Sequence, residues 1–312
     1  MRDLIGKYNR NRKVIWFILG ICVAVYVIIH IINEFLGQDL YGDANNLNLT
    51  TNNTFYDTNY SVVSNEQIEK KYVASITNII KEFINNCNEN KSEEAYNMLS
   101  SECKEELYPN IETFEKEYLN KFFTTRKTYK MQAWITNGSK YIYRIELIED
   151  MLLSGSSTNT KKIDYYTVIK DDDNYYLNIN GFIEKNEINK YSANELAKIT
   201  VLSEEVFIDC VYLNVEIENK TTETILIDEG KKGDSVYLKD TKDIGYASFL
   251  FEEPEENLIV KRKSKKEFKI KFEKEYSTNI KIKEIGFLDI VINYKTEDEK
   301  NNQKLVVKIY DK

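Results

Sequence analysis

Residues 130–148 read KMQAWITNGSKYIYRIELI, and this stretch decides the class of structure at the centre of the chain. Asn137-Gly138 is the strongest short signal for a hairpin, because both residue types tolerate the positive φ that a two-residue turn requires. Apolar and polar residues alternate on either side of it, as they do in half-buried strands. We therefore predict paired strands at Lys130–Thr136 and Ser139–Ile148.

Two further strands follow the hairpin. Ile163–Lys170 and Tyr175–Ile179 are rich in tyrosine and β-branched residues, and Asp171–Asn174 between them has the composition of a turn. Together with the hairpin, these segments predict four antiparallel strands that are consecutive in the chain.

A helical pattern precedes the strands. One buried helix face is indicated by apolar residues at helical spacing, namely Val73, Ile76, Ile80, Phe83, Ile84 and Cys87. Shorter helices are predicted over Ser92–Leu99, from about Ser101, and after Asn110, whose side chain suits an N-cap. Helices followed by an antiparallel sheet predict an α+β module with its helices on one face of the sheet.

Residues 66–185 resemble the NTF2-like superfamily of cone-shaped α+β domains. The resemblance rests on AYNMLSSECKEELYPNIETFEKEYLNKFF (Ala95–Phe123) and on the closing YYLNINGF. It implies an interior pocket in which the enzymes of this superfamily, isomerases and dehydratases, set an acid or base against a tyrosine. The candidate pocket residues are then Tyr143 and Tyr165, with Asp164 beside them, although strand alternation places Asp164 and Tyr165 on opposite faces.

The last part of the chain is predicted to be all-β. Residues 186–199 indicate a polar connector, and residues 200–312 contain about seven short strands separated by turns, the pattern of a β-sandwich. The alternation at Val211–Thr221, with ILI soon after, resembles bacterial immunoglobulin-like surface modules. A Cys-Trp-Cys core of the antibody type is absent from the sequence.

The start of the chain predicts a membrane anchor. Val14–Asn33 has 20 consecutive residues without a formal charge, enough for a helix to cross a bilayer of about 30 Å. Residues 1–13 hold five bases against one acid, which predicts a cytoplasmic basic tail and an extracytoplasmic remainder. The run is long for a secretory signal and lacks a small-residue cleavage site, so an uncleaved signal anchor is favoured over cleavage.

The expected localisation is therefore the cell membrane, as a single-pass protein of the cell envelope in a Gram-positive bacterium. Residues 34–65, rich in Asn, Thr and Ser, are predicted to form a flexible stalk. The side chains expected to contact the lipid bilayer are Trp16, Phe17, Leu19, Val23, Val27 and Ile31.

Composition limits the chemistry that the chain can perform. The 312 residues include one histidine, His30, and four cysteines without a CxxC motif, so no catalytic residues, metal ligands or cofactor-binding residues are predicted. Whether Cys87 and Cys103 form a disulfide or remain buried thiols is left open. The net charge of −8 argues against nucleic acid as a partner.

One basic patch interrupts the acidic chain. Seven bases occur within residues 261–271, and the candidate interaction residues are Lys261, Arg262, Lys263, Lys265 and Lys266. The patch either contacts an acidic partner or forms a solvated loop that leads into an edge strand, whose lysines oppose pairing with the strand of another chain.

These features predict a non-enzymatic protein that binds or assembles through its surfaces, with an envelope protein or a second copy of itself as partner. The order of a span and an NTF2-like module also resembles conjugation or secretion channel components of the VirB8/TcpC type. The alternatives are a ligand-binding sensor that uses the NTF2-like pocket and a pocket enzyme. A filled cone with an exposed apolar patch would favour assembly, and an open polar pocket would favour the other two.

Overall fold

The computed structural model describes residues 60–64, 66–149, 161–228, 235–250, 253–292 and 301–309. All of them belong to one compact unit, Asn53–Lys312. The predicted cytoplasmic tail and membrane span, and the stalk up to residue 59, lie outside the described residues.

Four helical segments come first in this unit. They are α1 (Lys70–Asn88), α2 (Ser92–Asn97), α3 (Ser101–Leu107) and α4, which runs from Ile111–Phe114 through a π-helical turn, Glu115–Leu119, to Asn120–Phe122. The Asn110 side chain accepts a 2.8 Å hydrogen bond from the Thr113 N–H, so it caps α4 as the sequence predicts. Ser100 caps α3 in the same way through the Cys103 N–H.

The first sheet follows the helices. Its antiparallel strands are β1 (Lys127–Asn137), β2 (Lys140–Glu149), β3 (Lys161–Asp171) and β4 (Asn174–Asn178), in the order β1-β2-β3-β4. The two-residue β1–β2 turn is Gly138-Ser139, because Asn137 is still paired with Lys140, and Gly138 has a φ of +58°. The predicted hairpin therefore forms, with its turn one residue later than predicted.

Helices and first sheet enclose a densely packed aromatic core. The Phe83 ring on α1 lies 6.4 Å from Phe114, 6.1 Å from Tyr118 and 5.5 Å from Tyr166, measured between ring centroids. All four residues have no solvent exposure. The space in which an open cone would hold a ligand is therefore occupied by side chains.

Two more antiparallel sheets pack face to face over a second core. The second sheet has the order β12-β7-β6-β5 and contains β5 (Phe182–Ala193), β6 (Ala197–Phe207), β7 (Val211–Asn219) and β12 (Lys265–Phe272). The third sheet has the order β10-β9-β13-β8-β11, with β14 also paired to β13. Its strands are β8 (Ile225–Leu226), β9 (Val236–Asp240), β10 (Gly245–Ala247), β11 (Ile259–Val260), β13 (Ile282–Ile292) and β14 (Asn301–Lys308).

The predicted connector over residues 186–199 is wrong. Most of this segment belongs to β5 and β6, which pair with each other from Phe182↔Phe207 to Ala193↔Lys198. Its polar residues misled the prediction because β5 is an edge strand, on which exposed charged and polar side chains are common.

The predicted fold class is also wrong. The described residues contain fourteen strands in three antiparallel sheets but four helical segments and one short 3₁₀ turn, so the protein is mainly β. The arrangement of the described residues does not show the predicted pair of an α+β NTF2-like module and an immunoglobulin-like sandwich. Amphipathic helices followed by hairpin strands are compatible with many folds, because periodicity specifies which face is buried and not which partner covers it.

The membrane assignment needs correction as well. Within the described residues, no helix has both the length and the apolar character that crossing a bilayer requires. The predicted span at 14–33, with its lipid-contacting residues, lies outside them. The signal anchor and the cell-membrane localisation are corrected accordingly, whereas the bilayer as a partner of residues 14–33 stays a prediction.

Candidate functional site

A groove of about 510 Å³ lies on the face of the first sheet opposite the helices. Its walls come from β1, β3, the β4–β5 corner, the β6–β7 turn and the segment after β12. We call it the junction groove, because it forms where the first and second sheets meet.

Backbone hydrogen bonds fix the floor of the junction groove. The Gly181 N–H donates to the Tyr165 carbonyl at 3.1 Å, and the Ile208 N–H donates to the Gly181 carbonyl at 2.9 Å. The Tyr276 N–H then donates to the Ile208 carbonyl, also at 2.9 Å. Because each link joins main-chain atoms, the backbone and not a side-chain rotamer sets the shape of the floor.

The β4–β5 corner is the tightest point of this floor. Asn180 and Gly181 have φ values of +58° and +72°, the left-handed region that Asn and Gly tolerate best. The Phe182 N–H donates to the Ile179 carbonyl and closes the turn. A Cβ on Gly181 would lie 3.3 Å from Ile208 Cγ2, so little space remains there.

Gly181→Ala is expected to lower the free energy of unfolding by about 2 kcal/mol, since it adds left-handed backbone strain to crowding against Ile208. Gly138→Ala is the matched control, because Gly138 also has positive φ but no atom lies within 4 Å of an added Cβ. Urea unfolding should show a smaller loss, about 1 kcal/mol, for the control. Equal losses would mean that the corner is not crowded.

Aromatic side chains line the junction groove. Trp134 on β1 and Tyr165 on β3 lie 5.8 Å apart between ring centroids, with their planes at 60°. Tyr276 forms a third wall, and its hydroxyl accepts a 3.0 Å hydrogen bond from Asn137 Nδ2. All three pack on a small buried cluster of Ile135, Ile142 and Ile183, which holds the rings in place.

Exposed aliphatic residues lie at the edge of the groove. Val63 is 52% exposed and Ile163 is 50% exposed, and both line the groove. The segment around Val63 is held against β1, because the Val62 and Val63 N–H groups donate to the Ala133 and Trp134 carbonyls. An ordered apolar surface next to a groove is typical of interaction sites.

The charged groups of the junction groove are all acidic. Asp209 and Glu275 line it and are exposed to solvent, while the buried Asp164 also contributes to its lining. Among the described residues that line the groove there is no lysine or arginine. The groove is therefore complementary to a cation.

Asp164 connects the groove to the helical core. Its carboxylate accepts hydrogen bonds from the Tyr118 hydroxyl at 2.8 Å, the Tyr165 N–H at 2.6 Å and the Asn180 N–H at 3.2 Å. Burial raises the pKa of Asp164 from 3.8 to about 6, although these hydrogen bonds act in the opposite direction. Burial also raises the pKa of Tyr118 and Tyr166, whose hydroxyl oxygens lie 2.8 Å apart.

The two predicted pocket residues are not brought together. Tyr143 is fully buried in the aromatic core on the helix side of the first sheet, whereas Tyr165 lines the junction groove on the other side. Asp164 faces the helices through Tyr118, so the predicted alternation of Asp164 and Tyr165 agrees with the structure. The interior acid–tyrosine pair that does form joins Asp164 to Tyr118 of α4, and it includes neither of the two predicted tyrosines.

The predicted basic patch is partly engaged in contacts within the chain. Lys265 pairs with Glu216 at 2.8 Å, and Lys263 donates to the Lys220 carbonyl. Lys266 donates to the Asn257 carbonyl and lies 5.2 Å above the Phe268 ring. These contacts at the edge strand β12 favour the solvated loop over a docking site among the two alternatives.

A second cavity of about 270 Å³ shares Tyr276 with the junction groove. Burial raises the pKa of Glu204 and lowers the pKa of Lys274, and each group's charge favours the charged form of the other. Asn186 Nδ2 also donates to Glu204 Oε1 at 2.9 Å. This arrangement of mutually compensating groups has the character of a structural polar cluster.

The three described cysteines, Cys87, Cys103 and Cys210, are free thiols. Cys87 and Cys103 are both buried, and burial raises the pKa of Cys103 to about 12, which suppresses thiolate formation. Of the two alternatives that the sequence leaves open, the structure has the unbridged thiols.

Comparisons with protein-family models, with curated proteins and with solved structures each gave no match. The function of this chain is therefore inferred from the geometry and chemistry of the junction groove.

Most of the groove residues escaped the sequence analysis. Trp134, Asp209 and Tyr276 belong to three distant segments, and none of them lies in a recognisable motif. The only local signal was the Asn180-Gly181 pair, which marks a tight turn but not what the turn places nearby.

Proposed function

We propose that this chain is a non-enzymatic binding protein whose junction groove holds a segment of a protein partner during assembly. One observation carries the proposal: an aromatic groove is bordered by the exposed aliphatic residues Val63 and Ile163. Aromatic side chains supply much of the binding energy at protein interfaces, and an apolar border excludes water around them.

The packing of the helical core supports the same proposal. Its aromatic side chains fill the interior between the helices and the first sheet. This packing favours a function at the surface over chemistry in an enclosed pocket. The groove floor is also fixed by backbone hydrogen bonds, so a partner would not have to order it on binding.

Asp164 supports binding over catalysis. Burial raises the pKa of its carboxyl, which already accepts three hydrogen bonds from the protein. A general base must reach the proton that it removes from a substrate, and the bonds to Tyr118, Tyr165 and Asn180 occupy Asp164 instead.

A second candidate function is the binding of a small molecule, as in a sensor. The groove volume of about 510 Å³ favours it, since it lies within the range of ligand pockets in proteins. The two functions can be distinguished by the mass of the molecule bound in the groove, which is a polypeptide in the first case and a small molecule in the second.

Photo-crosslinking in the cell distinguishes these functions. A benzophenone amino acid at Ile163 is expected to give a covalent adduct the size of a polypeptide, because this side chain is exposed at the edge of the groove. The matched control position is Ile244, which is equally exposed at 49% but follows β9 in the third sheet. The products are read by mass spectrometry after denaturing electrophoresis.

Polypeptide adducts that form at position 163 but not at position 244 would support a protein partner. If the partner is a second copy of this chain, mass spectrometry will identify only peptides of this sequence in the adduct. A small-molecule adduct at position 163 would favour the sensor. Equal polypeptide adducts at both positions, or none at position 163, would contradict the assembly proposal.

A further inference from the structure

The junction groove combines two features that together recognise a particular side chain. Three aromatic rings, Trp134, Tyr165 and Tyr276, line the same space as the exposed carboxylates of Asp209 and Glu275. We infer that the groove binds the cationic side chain of a lysine or arginine in an extended, otherwise apolar segment of the partner protein. This inference rests on the proposed function and specifies the partner's chemistry.

The aromatic rings contribute the first part of this recognition. A cation over the face of a tryptophan or tyrosine is attracted by the ring quadrupole, and the attraction grows when water is excluded. Trp134 and Tyr165 lie 60° from parallel, so they present two differently oriented surfaces to a side chain between β1 and β3. The aliphatic stem of lysine or arginine matches Ile135 and Ile208, which also line the groove.

The carboxylates contribute the second part. Asp209 on the β6–β7 turn and Glu275 after β12 place negative charge at the groove, and no basic residue among its described lining neutralises them. Tyr276 is anchored beside Glu275 by its backbone hydrogen bond to Ile208. The formal net charge of −8 also attracts a basic partner over longer distances.

The apolar border decides between a peptide and a free amine. Val63 and Ile163 extend the apolar surface beyond the cation site, and a free amine would leave both side chains exposed. A segment with apolar residues next to the basic one would cover them. We therefore assign the cation to a protein segment and not to a small metabolite.

The test is fluorescence polarisation with the full chain and a fluorescein-labelled peptide, Gly-Leu-Lys-Leu-Gly. Replacing the lysine by norleucine removes the charge and keeps the stem, so this peptide is expected to bind at least about tenfold more weakly. The affinity for the lysine peptide should also fall with added salt, whereas that for the norleucine peptide should not.

The chain's own variants provide matched controls. Asp209→Asn with Glu275→Gln is expected to weaken lysine-peptide binding about tenfold and to leave norleucine-peptide binding unchanged. Glu255→Gln with Glu256→Gln removes two exposed carboxylates on the 3₁₀ turn away from the groove, and it should have no effect. All four positions are exposed, so none of these changes disturbs a core.

Several results would overturn the inference. Equal affinity for the lysine and norleucine peptides, or an unchanged affinity in the Asp209/Glu275 variant, would exclude cation recognition. If n-butylammonium bound the groove as tightly as the lysine peptide does, the residues around the lysine would contribute nothing to the affinity, and the assignment to a protein segment would fail. Absence of binding by all peptides would also overturn it, while crosslinking at position 163 decides independently whether the groove holds a protein partner.

Discussion

Phe83→Ala is expected to lower the free energy of unfolding by about 3–5 kcal/mol, the largest effect of any substitution considered for this chain. Phe83 is fully buried on α1, and its ring contacts Phe114 and Tyr118 of α4 and Tyr166 of β3. Removal of the ring leaves a cavity where helices and sheet meet, and the rigid surroundings can refill it only in part. Urea unfolding followed by circular dichroism measures the loss.

Tyr191→Ala is the control for this experiment. Tyr191 is an aromatic residue on β5 that is 65% exposed, with Lys198 Nζ 4.6 Å from its ring centroid, so its removal should lower the free energy of unfolding by about 1 kcal/mol at most. A loss below about 1 kcal/mol for Phe83→Ala would mean that the space between helices and first sheet is not tightly packed. The case against an interior ligand pocket would then fail.

Stability is expected to fall as the pH rises from about 4 to about 7, and the buried Asp164 is expected to cause this change. Burial raises its pKa in the folded state to about 6, against 3.8 for an ordinary aspartate. The folded state therefore binds the proton more tightly, so the contribution is fully present below pH 3.8 and is lost as the pH rises through the folded pKa. The shift corresponds to about 3 kcal/mol.

Asp164→Asn removes this titration, so the pH dependence of the difference between wild type and variant isolates it. Between about pH 4 and about pH 7 the wild type should lose about 2 kcal/mol relative to the variant, since part of the loss has already occurred below pH 4. Asp209→Asn, an exposed groove carboxylate, should retain the wild-type dependence. Parallel stability curves for the wild type and Asp164→Asn would show that the carboxyl does not titrate in this range.

The position of Asp164 gives this titration a structural meaning. Tyr118 and Tyr166 lie on its helix side, in α4 and β3, and the charge of Asp164 helps to raise the pKa of Cys103 and Tyr108 in the helical layer. On the other side, its bonds to the Tyr165 and Asn180 N–H groups hold the groove floor. The same buried carboxyl thus makes hydrogen bonds on both faces of the first sheet.

Local structure was largely determined by the sequence. The hairpin that turns at Gly138-Ser139, the cap at Asn110 and the buried face of α1 follow from turn chemistry, side-chain capping and helical periodicity, each of which acts over a few residues. These rules predict which residues are buried. They do not predict which surface buries them, and so the predicted fold class failed.

The junction groove was decided by tertiary structure alone. The groove brings together residues from distant segments, which local rules treat independently: Trp134, Tyr165, Asp209 and Tyr276. They meet because the chain turns at Gly181, and because backbone hydrogen bonds then join Ile208 to Gly181 and Tyr276 to Ile208. The connector prediction over residues 186–199 failed for a related reason, since a polar edge strand is recognisable only once its partner is known. Contacts between distant segments depend on the packing of the whole chain, and no short stretch of sequence contains that information.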